Sequence, residues 1–367
     1  MDKKEIKQAV KEFLKDPTKK KLELEVPDNF SISWIQCPIM LGLRKLALLI
    51  LSKTVPSNFK TWLFRLMGYD FGADVCLPGF IFIDPHFPKL MKLRDGILVG
   101  GFADIKTYVK EGNKVTIGRV DIGERVLLSG WAKIMPGVTV GKNTILGIRS
   151  VTRQDIPESS FVVGDPGRVL KTWSAEELDR HFGESMHDPD YPHKVKELMK
   201  NFRADKGIRT VRFRNEGDRL NAGCDWWRGR HVWVIFIKGF FVELALLCPF
   251  EFGRKLLFKL QGVKFGKNVK LGKHVFFDHI YGDMVTIGDN CVIENGVFFD
   301  GHEYTTTETV YGKSKIGNNI HFKKGCYIRE GLNIGDNAVI EEDAVVLKDV
   351  GAGETWQGCP AKKVESK

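Results

Sequence analysis

The sequence predicts a mainly β chain in which two triangular β-solenoids follow one another, each entered through helical segments. Three observations carry this expectation. First, Ile316, Phe322, Ile328, Ile334, Ile340 and Val346 fall at intervals of six residues. Neither a helix (3.6 residues per turn) nor an alternating strand (period 2) has that spacing. A coil with one short strand per side does, each aliphatic side chain pointing at the axis. Second, the same marks stand at Phe265, Leu271 and Phe277 and again at Ile287, Ile293 and Phe299, with breaks in phase after Phe277 and Phe299. Residues out of phase must leave the coil as loops, where chemistry usually sits. Third, subtracting 194 from these numbers lands on Phe71, Leu77, Ile83, Leu93, Val99, Ile105, Ile122, Leu128, Ile134, Val140, Leu146 and Thr152, without a gap from about Leu63 to Val169. Gly72/Gly266, Asp84/Asp278, Gly137/Gly331 and the closing Gly164-x-Pro166/Gly358-x-Pro360 match at the same interval. A duplicated domain explains so long an ungapped agreement.

Four regions follow in order. Residues 1–68 form an entry region: a charged helix over Lys4–Lys15, the alternating strand Lys21–Val26, a largely apolar run at 34–51 and a helix at 56–68. Residues 69–170 form the first solenoid. Residues 171–262 form a charged connector and a second entry region. In it, Ser174-Ala175-Glu176-Glu177 has the spacing of a capping box, a helix is expected from Pro192 to about Ala204, and Val211–Arg214 alternates as a strand. The apolar run 231–248 repeats the role of 34–51, and 249–262 repeats 56–68. Residues 263–367 form the second solenoid.

Both apolar runs are shorter than 20 residues and carry charge, Arg44 and Lys45 in one, Lys238 and Glu243 in the other. They are too short and too polar to cross a bilayer. Two readings stay open. Each covers the unpaired strand edges at the end of a coil, or each lies on a membrane surface as an interfacial anchor.

The net charge of +10 and pI near 9.1 favour anionic partners: a phosphorylated co-substrate, an acidic carrier protein, a membrane surface or nucleic acid. Seven scattered cysteines without a CxxC pair point to reduced, mostly buried thiols and a cytoplasmic setting. The charged start Met1-Asp2-Lys3-Lys4-Glu5 does not read as a secretory signal.

The repeats resemble those of the hexapeptide-repeat acyltransferase superfamily, which includes maltose, galactoside, xenobiotic and serine acetyltransferases. The stretch Ile316-Gly317-Asn318-Asn319, then Gly331-Leu332-Asn333-Ile334-Gly335-Asp336-Asn337, closing on Gly358-Cys359-Pro360-Ala361-Lys362, is very similar to the family's terminal coils. The likeness covers about 63–170 and 257–364. It implies two left-handed parallel β-helix domains in tandem, the hand coming from the family and not from the period. It also implies transfer of an acyl group, most often acetyl, from acyl-coenzyme A to a hydroxyl or amine acceptor such as a sugar, in a homo-oligomer.

His302 opens the loop after Phe299, where the family keeps its catalytic histidine. Imidazole titrates near neutral pH, and a thioester is activated enough that a general base contributing roughly 10²–10⁴-fold suffices. Asp278 and His279 lie at the other break, with a similar Asp-His in serine acetyltransferases. Asp278 could orient His302 of a neighbouring chain, bind the acceptor hydroxyl, or close its own loop with an Asx-type turn. His279, Glu303 and Tyr304 are candidates to contact the acceptor. In the first half Tyr108 matches His302 and Pro85 matches His279. A phenol with a pKa near 10 is a poor base, so the first solenoid is expected to be catalytically degenerate.

For coenzyme A the resemblance leaves two arrangements. The second half could bind it unaided, with Lys324, Lys348 and Lys362 near its phosphates. Alternatively the first half, which keeps small residues at Gly130 and Gly147 and a cation at Arg168, could lend its groove. Lys323-Lys324 and Glu341-Glu342 depart from the small residues expected in the second half.

A non-catalytic tandem scaffold is the second class of function. A carrier-protein-dependent transferase at the membrane surface is another, because the arrangement also resembles the C-terminal region of some nonribosomal-peptide-synthetase-like membrane proteins. A zinc enzyme on the same fold needs three converging histidines. His274, His279, His302 and His321 do not have that spacing, so no metal is expected, nor any nucleic-acid partner.

Overall fold

The computed structural model describes residues 1–183, 190–214 and 220–365. They divide into two compact units: residues 1–183, 220–224 and 305–307, and residues 190–214, 225–304 and 308–365.

The first unit begins with α1 (Lys3–Lys15), capped by the reciprocal bonds of Asp2 and Glu5. Ile6, Val10 and Phe13 recur at helical spacing and are buried on its inner face. The strand Lys21–Glu25 pairs antiparallel with Lys114–Gly118, which pairs with Tyr108–Glu111. Helices α2 (Pro38–Leu51) and α3 (Asn58–Leu66) follow. The coil itself is three ladders of parallel two- to four-residue strands, with Leu98–Val99, Leu127–Leu128, Ile145–Leu146 and Ser160–Val163 as one ladder. Leu51 and Phe64 are buried in the same cluster as the coil's inward residues, and Leu48, Leu63 and Met67 pack against it. These helices do cover the coil. The strand Arg168–Thr172 then folds back on Ser160–Val163, and α4 (Ala175–Phe182) opens with the expected Ser174/Glu177 box.

The second unit repeats this order. Helix α5 (Tyr191–Ala204) leads to the strand Thr210–Arg214, antiparallel to Glu308–Gly312, which pairs with His302–Tyr304. Helices α6 (Val232–Leu247) and α7 (Glu251–Gln261) precede three parallel ladders. The six residues spaced at six, Ile316 to Val346, are each 4% exposed or less. Aromatic rings stack between successive coils, Phe277 on Phe299 at 4.9 Å and 6°.

One corner of this coil is an asparagine ladder. Asn268, Asn290, Asn319 and Asn337 all have φ between 54 and 62°, a region asparagine tolerates better than most residues. Their side-chain amides link from coil to coil at 3.1–3.2 Å. This accounts for the asparagine that follows each Phe-Gly or Ile-Gly pair by two positions. The glycine is needed because a Cβ at Gly317 would lie 2.3 Å from Asp336 Oδ1.

The region 171–262 therefore does not behave as one connector. Its start completes the first unit, and 190–214 with 225–262 supply the second unit's counterparts of α1, the Lys21–Glu25 strand, α2 and α3. The sequence pairs the last two of these, 231–248 with 34–51 and 249–262 with 56–68; the structure adds α5 and the strand Thr210–Arg214.

Candidate active site

His302 stands on a two-stranded hairpin, not on an irregular loop. Its strand pairs with Glu308–Gly312, and that strand is held from the other side by Thr210–Arg214. The histidine therefore rests on three hydrogen-bonded strands, which fixes its backbone.

Asp278 directly follows the strand Phe276–Phe277 and is 2% exposed. Its Oδ1 accepts from the backbone N–H groups of Ile280 (2.7 Å) and Tyr281 (3.0 Å), closing the loop as an Asx-type turn. Its Oδ2 accepts from Gly301 N–H at 3.0 Å and from His302 Nδ1. The loop-closing and histidine-orienting roles are thus filled by the same carboxylate, and the histidine is that of its own chain. With Nδ1–H given to Asp278, Nε2 is the atom left to exchange a proton.

A polar cluster surrounds the pair. Asp300 Oδ1 lies 3.9 Å from His302 Nδ1, and Asp300 Oδ2 accepts from the Tyr327 hydroxyl at 2.7 Å. The rings of Tyr304 and Tyr281 lie 4.5 and 5.4 Å from the imidazole. Arg329 joins the carboxylates of Glu303 and Glu330, the latter at 3.1 Å and almost wholly buried.

The electrostatics follow from this crowding. Burial opposes charge on His302, but the Asp278 carboxylate overcomes it through charge and hydrogen bond, with Asp300 and Glu330 adding, and raises the imidazole to about 9. Burial likewise pushes Asp278 up, yet the imidazolium and the backbone donors hold it below the usual carboxylate range. Burial and the neighbouring Asp278 charge lift Asp300 to about 7. Burial and Glu303 lift Glu330 to about 8, against Arg329. Carboxyl groups pushed apart in this way mark sites of proton traffic more often than structural surfaces.

Asp278, Asp300 and His302 place potential ligand atoms within 4.8 Å of one another. Asp278 is a poor metal ligand here, since three backbone N–H groups and the Nδ1 donor already occupy its oxygens. The cluster fits proton transfer better than metal coordination.

The other candidates separate. Tyr304 and Glu303 belong to the cluster. His279 does not: its Nε2 lies 3.4 Å from Glu243 on α6, and its ring packs on Phe276. Lys324 pairs with Glu342 at 3.5 Å and lines a cleft of about 370 Å³ with Glu251 and Glu294. Lys362 lines another of about 550 Å³ with Glu341 and Glu342. Lys348 is exposed on the surface. Gly130, Gly147 and Arg168 belong to the first unit, where a Cβ at Gly147 would meet Val163 at 3.1 Å and Arg168 lies exposed on an outer strand.

Sequence reasoning passed over Asp300, Tyr281, Tyr327, Arg329 and Glu330. Asp300 carried a signal, an acid two positions before the candidate base. It also passed over His86. In the first unit the buried Asp84 contacts His86 Nδ1 at 2.5 Å and accepts from the backbone N–H groups of His86, Thr107 and Tyr108. The Tyr108 ring lies 4.5 Å from that imidazole, tilted by 40°. An Asp–His contact is thus present in both units, made by histidines at non-matching positions.

Residues 262–300 match the family model described as the hexapeptide repeat of succinyl-transferase. A putative acetyltransferase of Bacillus subtilis, YvoF, is 25% identical over 116 residues, 31% of this chain and 67% of that protein. The serine acetyltransferase of Synechococcus elongatus is 29% identical over 29% of this chain and 43% of its own length. The Staphylococcus aureus enzyme of the same name is 32% identical over 28% and 49%. The chain thus spans less than half the length of these two serine acetyltransferases. Among solved structures, a maltose O-acetyltransferase from Clostridium difficile is similar at 19% identity over 37% of this chain and 87% of that one, with a TM-score of 0.29. A galactoside acetyltransferase in complex with coenzyme A is similar at 21% identity over 36% and 81%, also with a TM-score of 0.29. The six-residue repeats, the parallel three-ladder coils, the matching repeat model and the sequence likeness to these acetyltransferases support the resemblance to hexapeptide-repeat acyltransferases.

Proposed function

We propose that the chain is an acetyl-coenzyme A-dependent acyltransferase acting on a hydroxyl or amine acceptor, a sugar being the class the family resemblance suggests. His302 is the general base and Asp278 the residue that positions it. The observation that carries this reading is the Nδ1 contact of His302 to the buried Asp278 carboxylate. In the same reading the two units are duplicated left-handed coils, of which the second performs the chemistry.

The step is a direct transfer. Nε2 of neutral His302 takes the proton of the acceptor O–H or N–H as the heteroatom attacks the thioester carbonyl. The C–S bond breaks, and the departing thiolate recovers the proton from the imidazolium. Asp278 keeps the ring in the Nδ1–H tautomer and stabilises the positive charge that forms. In the free protein at neutral pH the raised imidazole is largely protonated, so the reactive form grows as pH rises. Bound substrates that exclude water strengthen the burial that opposes this charge and lower the barrier to losing the proton. Acceptor and thioester are positioned within one complex, and no covalent enzyme intermediate is needed.

The test is thiol release from acetyl-coenzyme A in the presence of a panel of sugar, amino-acid and amine acceptors. Acceptor-dependent release that falls by roughly 10²–10⁴-fold in His302→Ala supports the base assignment. No release above the uncatalysed background with any acceptor in the parent chain overturns the reading in favour of a non-catalytic scaffold.

A further inference from the structure

Each unit exposes an apolar stripe along its longest apolar helix. On α2, Ile39, Leu43, Leu46 and Ile50 follow helical spacing and are 55–74% exposed. Adding 194 gives Trp233, Ile237, Phe240 and Leu244 on α6, 36–70% exposed. The side chains differ, yet every matched position is large, apolar and on the outside. On the adjoining helices Trp62 and Leu256, again 194 apart, are 48 and 46% exposed. Exposed apolar patches of this extent mark interaction sites on soluble surfaces.

The charge around them limits what can cover them. No acidic residue occurs between Asp28 and Asp70, a stretch that holds Arg44, Lys45, Lys53 and Arg65. On α6 and α7 the acids Glu243 and Glu251 are engaged, by His279 at 3.4 Å and Lys255 at 2.6 Å. A second copy of the chain would bring like charges together across such faces. An anionic lipid surface neutralises them while accepting the apolar stripe, and tryptophan suits the boundary between headgroups and acyl chains. Among the described residues no helix is long and apolar enough to cross a membrane. A helix of 14 residues, α2, spans about 21 Å and would lie in the interfacial plane.

We infer that the outward faces of α2–α3 and α6–α7 dock on an anionic lipid bilayer surface. This is independent of the acyl-transfer reading. The test is flotation of the full chain with vesicles of phosphatidylcholine containing about 30 mol% phosphatidylglycerol, against pure phosphatidylcholine and against high salt. The chain floats with the anionic vesicles and binds at least about tenfold more weakly in either control. The double substitutions Leu43→Glu with Leu46→Glu, and Ile237→Glu with Phe240→Glu, each weaken binding by at least about tenfold. Because these side chains are exposed, thermal unfolding should be little changed. A chain that ignores anionic vesicles overturns the inference, as do variants that float as well as the parent. Ultracentrifugation showing that the variants split a dimer, with no vesicle binding by the parent, would make the faces a copy-to-copy interface instead.

Discussion

Asp278 and His302 are 24 positions apart, yet one carboxylate oxygen of the first receives both the Nδ1 of the second and the backbone N–H of Gly301 beside it. The other oxygen closes the loop at Ile280 and Tyr281. A single buried side chain therefore ties two separate coil breaks together and fixes the tautomer of the imidazole.

Asp278→Asn tests that arrangement. The neutral amide removes the charge that raises His302, so the imidazole falls back toward its ordinary range and the acidic edge of the pH–rate profile moves to lower pH. The maximal rate also drops, because the tautomer is no longer enforced. Facing three backbone donors with an amide costs about 1–3 kcal/mol of stability. Rate profiles between pH 5 and 10, with denaturant unfolding alongside, separate the two effects. An unshifted profile would break the link between the two residues.

Gly301→Ala should harm activity through position alone. A Cβ there would lie 2.8 Å from the Tyr281 backbone oxygen and 3.2 Å from Asp278 Oδ2. Relief requires the Asp278 loop to move, at a cost of about 1–3 kcal/mol. The measurement is kcat with saturating acetyl-coenzyme A. A fall in kcat larger than the rise in KM is expected.

Stability should decline on the alkaline side. His302 has a folded-state value raised to about 9, so its ion-pair contribution is fully present below about 6.5 and is lost as pH rises through about 9. Asp300 and Glu330, raised to about 7 and about 8, act in the same direction, since ionising them inside the fold is penalised as pH climbs past their unfolded values. Asp278 has the opposite sign: its lowered value gives stability that disappears only in acid. Thermal melting at pH 6, 8 and 10 should show a falling Tm. His302→Asn should flatten that fall.

In the first unit His86→Ala should leave acyl transfer within about twofold of the parent, read as kcat/KM. Tyr108 fills the position that matches His302, and burial followed by the Asp84 charge pushes its phenol further up, away from any use as a base. A loss as large as that of His302→Ala would assign chemistry to the first unit.

The coils were legible because a period of six admits few structures, and the side chain at each sixth position is inward whatever lies between. The capping box at Ser174 and the helices were legible for the same local reason. The site was legible only where it interrupted that period, which exposed Asp278 and His302. Tyr281, Tyr327 and Glu330 have no such mark, because their burial depends on which coil faces stack the hairpin. The strand Thr210–Arg214 was expected, but not its partner, which lies about 100 residues away in sequence. His279 lies outside the His302 cluster because adjacency to Asp278 says nothing of direction, and its Nε2 faces Glu243 on α6. The cofactor lysines rested on resemblance alone, and Lys324 and Lys362 share their clefts with glutamates.

The most direct measurement is the pH dependence of kcat/KM for acceptor-dependent thiol release, in the parent chain and in His302→Asn. The account requires a rate that climbs with pH and levels off near pH 9 in the parent, with that climb absent and the rate collapsed in the variant. A flat profile in the parent, or the same climb with an asparagine at position 302, would mean that some other group removes the proton.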